Sequence, residues 1–239
     1  MKAWFYFWRT LLWVFAKICF PCKVMDKHKY KKYARGQILI SNHLSWMDVP
    51  YMYYGLPGFK RLLSKKENGG GKFRRAALGS IGIIFVNREK PELSSMRECL
   101  NALKDGQTLS IFPEGTRNKE NREIQPMHSG AAMFALKGNA GVVPFVIHHK
   151  GKLFKRNYAG VGDPVRLDDL FGKRLDESVL QEATERFRAG MQATLDKLDI
   201  WVAEKGYKRE KRALKRENKA LSAQYRSAEK AYVKDCNGK

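Results

Sequence analysis

The sequence predicts an α/β fold, a central mixed sheet covered by helices, and three observations point to it. Apolar runs short enough for buried strands alternate with stretches of helical periodicity. Turn signals fall between them, among them Gly36, Asp105-Gly106 and Gly162-Asp163-Pro164. A chain of 239 residues, 44% hydrophobic and 12% aromatic, is also long and apolar enough to bury a core, which excludes disorder throughout.

Residues 1 to 25 are rich in aromatics, but Lys2, Arg9 and Lys17 interrupt them so that no uncharged run exceeds seven residues, too few for a plain spanning helix. At about 100° per residue the three cations share one side, and Trp4, Phe7, Trp8, Leu11, Phe15 and Ile18 share the other. That is the pattern of a helix lying in a membrane interface; packing on the protein's own core and a tilted span are the alternatives. A cleaved signal peptide is not expected, because Arg9 breaks the apolar region. Residues 1–30 are read as this membrane-associating helix.

After Gly36, QILISN reads as a buried strand and Trp46 to Tyr54 as a helix. The glycine-rich, basic KKENGGGKFRRAALGSIG leads to the strand IIFV. Its glycines do not make a Walker phosphate loop, since Lys66 and Phe73 stand where glycine and a hydroxyl residue are required. Pro91 opens an amphipathic helix with Leu93, Met96, Leu100 and Leu103 on one face. TLSIF is the next strand, PEGTRN a loop, SGAAMFALKG a short helix, and VVPFVIH and Asn157 to Val161 are strands. These elements and a final helix to residue 204 form the α/β domain, 31–204. From about Leu175 the chain is helical, with Leu180, Phe187, Met191, Leu195 and Leu198 facing the core. The remainder, 205–239, is a basic helical tail with 12 cations against 4 anions.

Charge limits the partners. The 46 Lys and Arg against 24 Asp and Glu leave +22, which suits nucleic acid, an anionic membrane or an acidic carrier protein. Cys19, Cys22, Cys99 and Cys236 are too few and scattered for a disulfide scaffold, so a reducing compartment is expected. Cys19 and Cys22 have CxxC spacing without the second pair that structural zinc needs; they read as small apolar thiols, and no metal site is expected.

The chemistry-bearing motif is Asn42-His43-Leu44-Ser45-Trp46-Met47-Asp48. In an unbroken helix His43 and Asp48 would lie about 140° apart, so their pairing requires a break. Ser45 supplies one as a helix cap, with Asp48 in the first turn, and the imidazole can then fold back on the carboxylate. Such a pair leaves the other ring nitrogen free as a general base. Phe112-Pro113-Glu114-Gly115-Thr116-Arg117 directly follows a strand and offers a tight loop with a phosphate-matching guanidinium, and Arg88 ends the IIFV strand similarly.

NHLSWMD, GIIFVNR, FPEGTR and VVPFVI, in this order and spacing, resemble the four blocks of the glycerolipid acyltransferases across roughly residues 38 to 165. The resemblance implies that His43 takes the proton from a glycerol hydroxyl as it attacks an acyl thioester, that Asp48 holds the ring, and that no covalent acyl-enzyme forms. It implies that Glu114, Gly115, Thr116 and Arg117 hold the glycerol phosphate with help from Arg88. Asn42 orients the turn or supports the oxyanion, and Pro144 shapes the donor side. The expected reaction moves a fatty acyl group from acyl carrier protein or coenzyme A to 1-acyl-glycerol-3-phosphate, forming phosphatidate, with no cofactor beyond the thioester. The expected partners are those donors, the lysophospholipid acceptor and anionic membrane lipid, at the cytoplasmic face of the membrane, and not nucleic acid.

Three positions depart from the pattern: Asn87 replaces a frequent aspartate, Asn68-Gly69-Gly70-Gly71-Lys72 replaces an apolar stretch that bears on acyl length, and His128 replaces a frequent lysine. Alternative readings are the same chemistry on glycerol 3-phosphate, a lysophospholipid or a lyso-aminolipid, or a basic nucleic-acid-binding protein. The aromatics cluster at the N-terminus rather than among the basic residues, which disfavours the last of these.

Overall fold

The computed structural model describes residues 11, 14–30, 36–87 and 92–236, with side chains 209, 210, 213, 217, 218 and 220–236 left out. Lys2, Trp4, Phe7, Trp8, Arg9, Arg88 and Pro91, singled out above, lie outside the described residues. The chain divides into two compact units, Met1–Leu198 and Asp199–Lys239.

The first unit is built on seven strands: β1 (Cys22–Met25), β2 (Gln37–Ser41), β3 (Lys60–Lys65), β4 (Ile83–Val86), β5 (Thr108–Ile111), β6 (Gly141–Ile147) and β7 (Asn157–Val161). Their order is β1-β7-β6-β2-β5-β3-β4. The strands from β6 to β4 are parallel, and β1 and β7 form a parallel pair running the opposite way. Helices α1 (Asp48–Gly55), α2 (Lys72–Ser80), α3 (Leu93–Lys104) and α4 (Gly130–Lys137) make the crossovers, and α5 (Glu177–Cys236) follows β7. A mixed sheet covered by helices is therefore the observed fold.

All five residues of β2 are buried, as expected of a parallel strand covered on both faces. Gly36, at φ 74°, permits its entry: a Cβ there would stand 2.4 Å from the Leu103 carbonyl oxygen. The chain leaves β2 toward β3 on one side, whereas it leaves β5 toward β6 on the other. The carboxyl ends of β2 and β5 thus flank a topological switch point, where α/β sheets open a crevice. Ile40 pairs with Ile111, so His43 and Glu114 each follow a paired residue by three positions.

Several expectations need correcting. Residues 14–19 are helical, but Pro21 stops the helix and Cys22–Met25 pair with β7, so the segment 1–30 is not one helix. Helix α1 starts at Asp48, two residues later than expected, and buries Asp48, Tyr51, Met52 and Gly55 at helical spacing. In α3 the core face is Ser95, Cys99, Ala102 and Leu103, while Leu93 is exposed. Strand β3 and helix α2 were not anticipated. In the first unit α5 buries Ala183, Phe187, Met191, Leu195 and Leu198, whereas Leu180 is only half-buried. The second unit is helical through Cys236, and there the Lys205 ammonium lies over the Trp201 ring, 4.5 Å from its centroid. Among the described residues no helix is long and apolar enough to cross a membrane.

Candidate active site

Strand β2 ends at Ser41, and the next residue extends the sheet with its side chain. Asn42 Nδ2 donates to the Ile147 carbonyl at 2.9 Å, and Asn42 Oδ1 accepts from the Ile147 N–H at 2.8 Å. This locks the start of the turn to the end of β6. Of the two roles expected for Asn42, orienting the turn is the one this geometry fits.

Both backbone groups of His43 are held by the loop after β5. Its N–H donates to Glu114 Oε2 at 3.2 Å, and its carbonyl accepts from the Asn118 N–H at 2.7 Å. The ring is fixed on two sides as well. Nδ1 lies 2.9 Å from Asp48 Oδ2, and the plane stacks on Phe112 with centroids 4.1 Å apart and 18° between planes. The side chain retains 17% exposure beside a fully buried carboxylate.

Asp48 organises the turn between them. Its Oδ2 accepts from the Leu44 N–H at 2.6 Å and the Ser45 N–H at 2.7 Å, and its Oδ1 accepts from Ser45 Oγ at 3.0 Å. Ser45 Oγ in turn accepts from the Met47 N–H at 3.2 Å. This is the reciprocal logic of a capping box, with the serine bonding two residues on rather than three. A carboxylate accepting N–H bonds from two neighbours takes a proton-bearing Nδ1 from the imidazole, which leaves the lone pair on Nε2.

Glu114 is 4% exposed, and its oxygens accept from the His43 and Gln125 backbone N–H groups, the latter at 3.4 Å. Burial pushes its carboxyl up to about 7, against the pull of those two N–H donors. Gly115, at φ 75°, turns the chain back with its N–H on the Phe112 carbonyl. Thr116 is exposed beyond it. The Arg117 guanidinium lies over the indole of Trp46, 4.3 Å from its centroid. Because the next residue, Asn118, is bonded to His43, this cation is anchored one residue from the histidine's partner. His128 donates its backbone N–H to the Pro113 carbonyl at 2.9 Å and precedes α4.

Behind the loop lies a cavity of about 480 Å³ lined by Leu63, Met96, Ile111, Phe112, Met133 and Phe134, among others. It falls within the usual range of small-ligand pockets, roughly 300–1,000 Å³. Phe112 thus has one neighbour in the imidazole and another in an apolar chamber. The sequence reading missed both this stacking and the bracket made by Glu114; the position of FPEG directly after a buried strand was their one visible sign. Pro144 lies within β6, its carbonyl bonded to the Gly162 N–H. Among the described residues no His, Cys, Asp and Glu cluster could hold a metal, and Cys19, Cys22 and Cys99 are free thiols.

The acyltransferase family model matches residues 22–148. A 1-acyl-sn-glycerol-3-phosphate acyltransferase of Bacillus subtilis (strain 168) is 31% identical over 170 residues, 69% of this chain and 83% of that one. Another of that name, from Helicobacter pylori (strain J99), is 32% identical over 121 residues, so the match spans only about half, 51%, of its length. The crystal structure of the 1-acyl-sn-glycerophosphate acyltransferase PlsC from Thermotoga maritima superposes with a TM-score of 0.53 at 23% identity, covering 72% of this chain and 71% of that one. The last likeness is one of fold.

Proposed function

The chain belongs to the acyltransferase family, and from that premise we propose that it moves a fatty acyl group from an acyl thioester to the sn-2 hydroxyl of 1-acyl-glycerol-3-phosphate, forming phosphatidate. The observation that carries this reading is the 2.9 Å link between His43 Nδ1 and Asp48 Oδ2, with the ring stacked on Phe112. Nε2 accepts the hydroxyl proton as the oxygen attacks the thioester carbonyl. The tetrahedral intermediate then collapses, the carbon–sulfur bond breaks, and the imidazolium returns its proton to the departing thiolate. Asp48 stabilises the imidazolium while it exists, which lowers the transition state rather than binding substrate.

Arg117 supplies the fork that a phosphate monoester requires, on a loop tied to the histidine. Arg88, which follows Val86 by two residues in the sequence, is proposed to assist. Thr116 offers a hydroxyl donor at the exposed rim and Gly115 shapes the turn that presents it, whereas Glu114 acts from below by holding the His43 backbone. The apolar cavity behind Phe112 provides a place for an acyl chain near the thioester carbon.

Anionic membrane lipid is the proposed setting, at its cytoplasmic face. Support comes from the net charge of +22 and from Leu11, Phe15 and Ile18, which the structure leaves exposed on the N-terminal segment. Acyl carrier protein and coenzyme A both satisfy the donor chemistry. The deciding assay offers purified protein one thioester donor and a panel of acceptors: 1-acyl-glycerol-3-phosphate, glycerol 3-phosphate, lysophosphatidylcholine and a lyso-aminolipid. Phosphatidate as the dominant product is expected; preference for an acceptor without a phosphate monoester overturns the assignment.

A further inference from the structure

We infer that the loop between β6 and β7, residues 148–156, is a second membrane-contacting element, its Leu153-Phe154 tip entering an anionic bilayer while Lys150, Lys152, Lys155 and Arg156 meet the lipid phosphates. The inference rests on the reading of this protein as an enzyme of a membrane lipid, and specifies which surface meets the bilayer.

Leu153 and Phe154 sit side by side at the tip of a tight turn closed by the Lys155 N–H on the Lys152 carbonyl at 3.1 Å, and they are 56% and 68% exposed. Phe154 has φ 55°, the left-handed region that bulky side chains rarely occupy. Fold stability alone favours glycine or asparagine there, so the aromatic serves something other than the turn. Its backbone N–H donates to the Cys19 carbonyl at 2.6 Å, which fastens the tip to the end of the helical segment 14–19. That segment exposes Phe15 and Ile18, so two apolar elements are tied together and neither is covered.

Charge selects the partner. The sequence holds no Asp or Glu between Glu123 and Asp163, and among the described residues none of the four loop cations forms an ion pair, the Lys150 ammonium donating instead to the Lys119 carbonyl. An acidic carrier protein would be met by the cations alone, whereas a leucine and an aromatic at the very tip gain nothing from ionic docking. A bilayer takes both, phosphates at the surface and hydrocarbon beneath. Topology agrees. Strand β6 is parallel to β2, so the loop leaves the same edge of the sheet as the His43 turn, and Asn42 bonds both ways to Ile147 just before it. A bilayer touching this tip faces the edge at which a lipid hydroxyl must arrive.

The test is co-sedimentation of the full chain with vesicles of phosphatidylcholine containing one part in three of phosphatidylglycerol. Leu153→Ser with Phe154→Ser should weaken binding by about tenfold or more, while Phe154→Trp retains it. Replacing Lys152, Lys155 and Arg156 by serine should weaken binding to these vesicles but not to pure phosphatidylcholine. Phe59→Ser, at the opposite edge of the sheet, should bind as the unsubstituted chain does. Activity on 1-acyl-glycerol-3-phosphate in nonionic detergent micelles, within about twofold of the unsubstituted chain, shows that the loop variants are folded and that the reaction reading stands. Unchanged vesicle affinity in the double variant overturns the loop assignment alone; failure of the unsubstituted chain to bind overturns the membrane reading with it. Loss of transfer only from acyl carrier protein, with vesicle binding intact, makes the loop a protein-docking site and also overturns the proposal.

Discussion

The His43 backbone N–H donates to Glu114 Oε2 across 71 positions of sequence, so a carboxylate in the loop after β5 holds the turn after β2 in place. Its burial has a pH consequence. The native carboxyl is pushed up to about 7 from its ordinary 4.5, chiefly by desolvation. A carboxyl raised on folding contributes stability that is present below about 4.5 and is lost as pH climbs through about 7, because the unfolded chain then holds fewer protons. The full swing is on the order of 3 kcal/mol. Urea unfolding between pH 5 and 8 should show native stability declining relative to Glu114→Gln, whose amide does not titrate. A constant offset between the two proteins, identical at every pH, would show that Glu114 does not titrate in this window.

Asp48 holds the turn and, in the proposed reaction, stabilises the imidazolium, two roles that substitution can separate. Asparagine can keep its oxygen at the Oδ2 position and let the Ser45 hydroxyl rotate to accept from its amide, so the turn survives and the charge is lost. Asp48→Asn should therefore lower kcat by about 10² or more with little change in acceptor KM, since the charge matters only while imidazolium exists. Asp48→Ala should in addition lose about 1–3 kcal/mol of stability, because the buried Leu44 and half-buried Ser45 N–H groups lose their acceptor. Steady-state kinetics with chemical unfolding distinguishes the two. A kcat for Asp48→Asn near that of the unsubstituted chain would remove the electrostatic role.

How much of this was legible depends on the range of the interactions. The His43–Asp48 pairing spans five residues, and the helix-breaking serine between them is a local signal, so sequence alone anticipated it. The apolar run of β2 and the strand Asn157–Val161 were likewise visible. Strand β1 was not, because CKVM continues an aromatic helical pattern and becomes a strand only by pairing with β7. Helix α2 buries none of its residues and so carries no core-facing stripe to read. Glu114 belongs to a motif whose resemblance suggested phosphate binding; its hold on the His43 backbone is a contact between distant segments.

Strand β3 shows the same limit at a single residue. KRLLSK begins with a lysine that is wholly buried, against the usual placement of lysine. Lys60 Nζ donates to the carbonyls of Leu56, Pro57 and Gly58 at 2.9, 3.0 and 3.0 Å, closing the chain beyond the end of α1. Burial nevertheless holds its ammonium down to about 8. Above that value the native state releases a proton that the unfolded chain keeps until about 10.5, so stability gains a favourable term as pH rises between them. Lys60→Met preserves volume, leaves three carbonyls without a donor, and should cost about 1–3 kcal/mol at pH 7. It should also lack the alkaline term, which unfolding at pH 7 to 10 would reveal. Equal stability of both proteins at pH 7 would mean that water replaces the ammonium without loss.

The contact of Arg117 with Trp46 separates geometry from charge in the proposed phosphate site. The indole is 65% exposed, yet it carries the guanidinium on its face at 4.3 Å, which holds a flexible side chain in one direction beside the His43 turn. Arg117→Ala removes both fork and charge and should raise acceptor KM by roughly tenfold to a hundredfold, a loss of about 1.4–2.8 kcal/mol in binding. Arg117→Lys keeps the charge without the planar fork, so most of that loss should remain. Trp46→Ala leaves the fork but frees it to wander, and a smaller rise in the same parameter is expected. If the Arg117→Lys variant kept the original KM, a point charge would suffice and bidentate phosphate recognition at this position would be wrong. If Trp46→Ala changed kcat rather than KM, the indole would act on the histidine turn instead of the guanidinium.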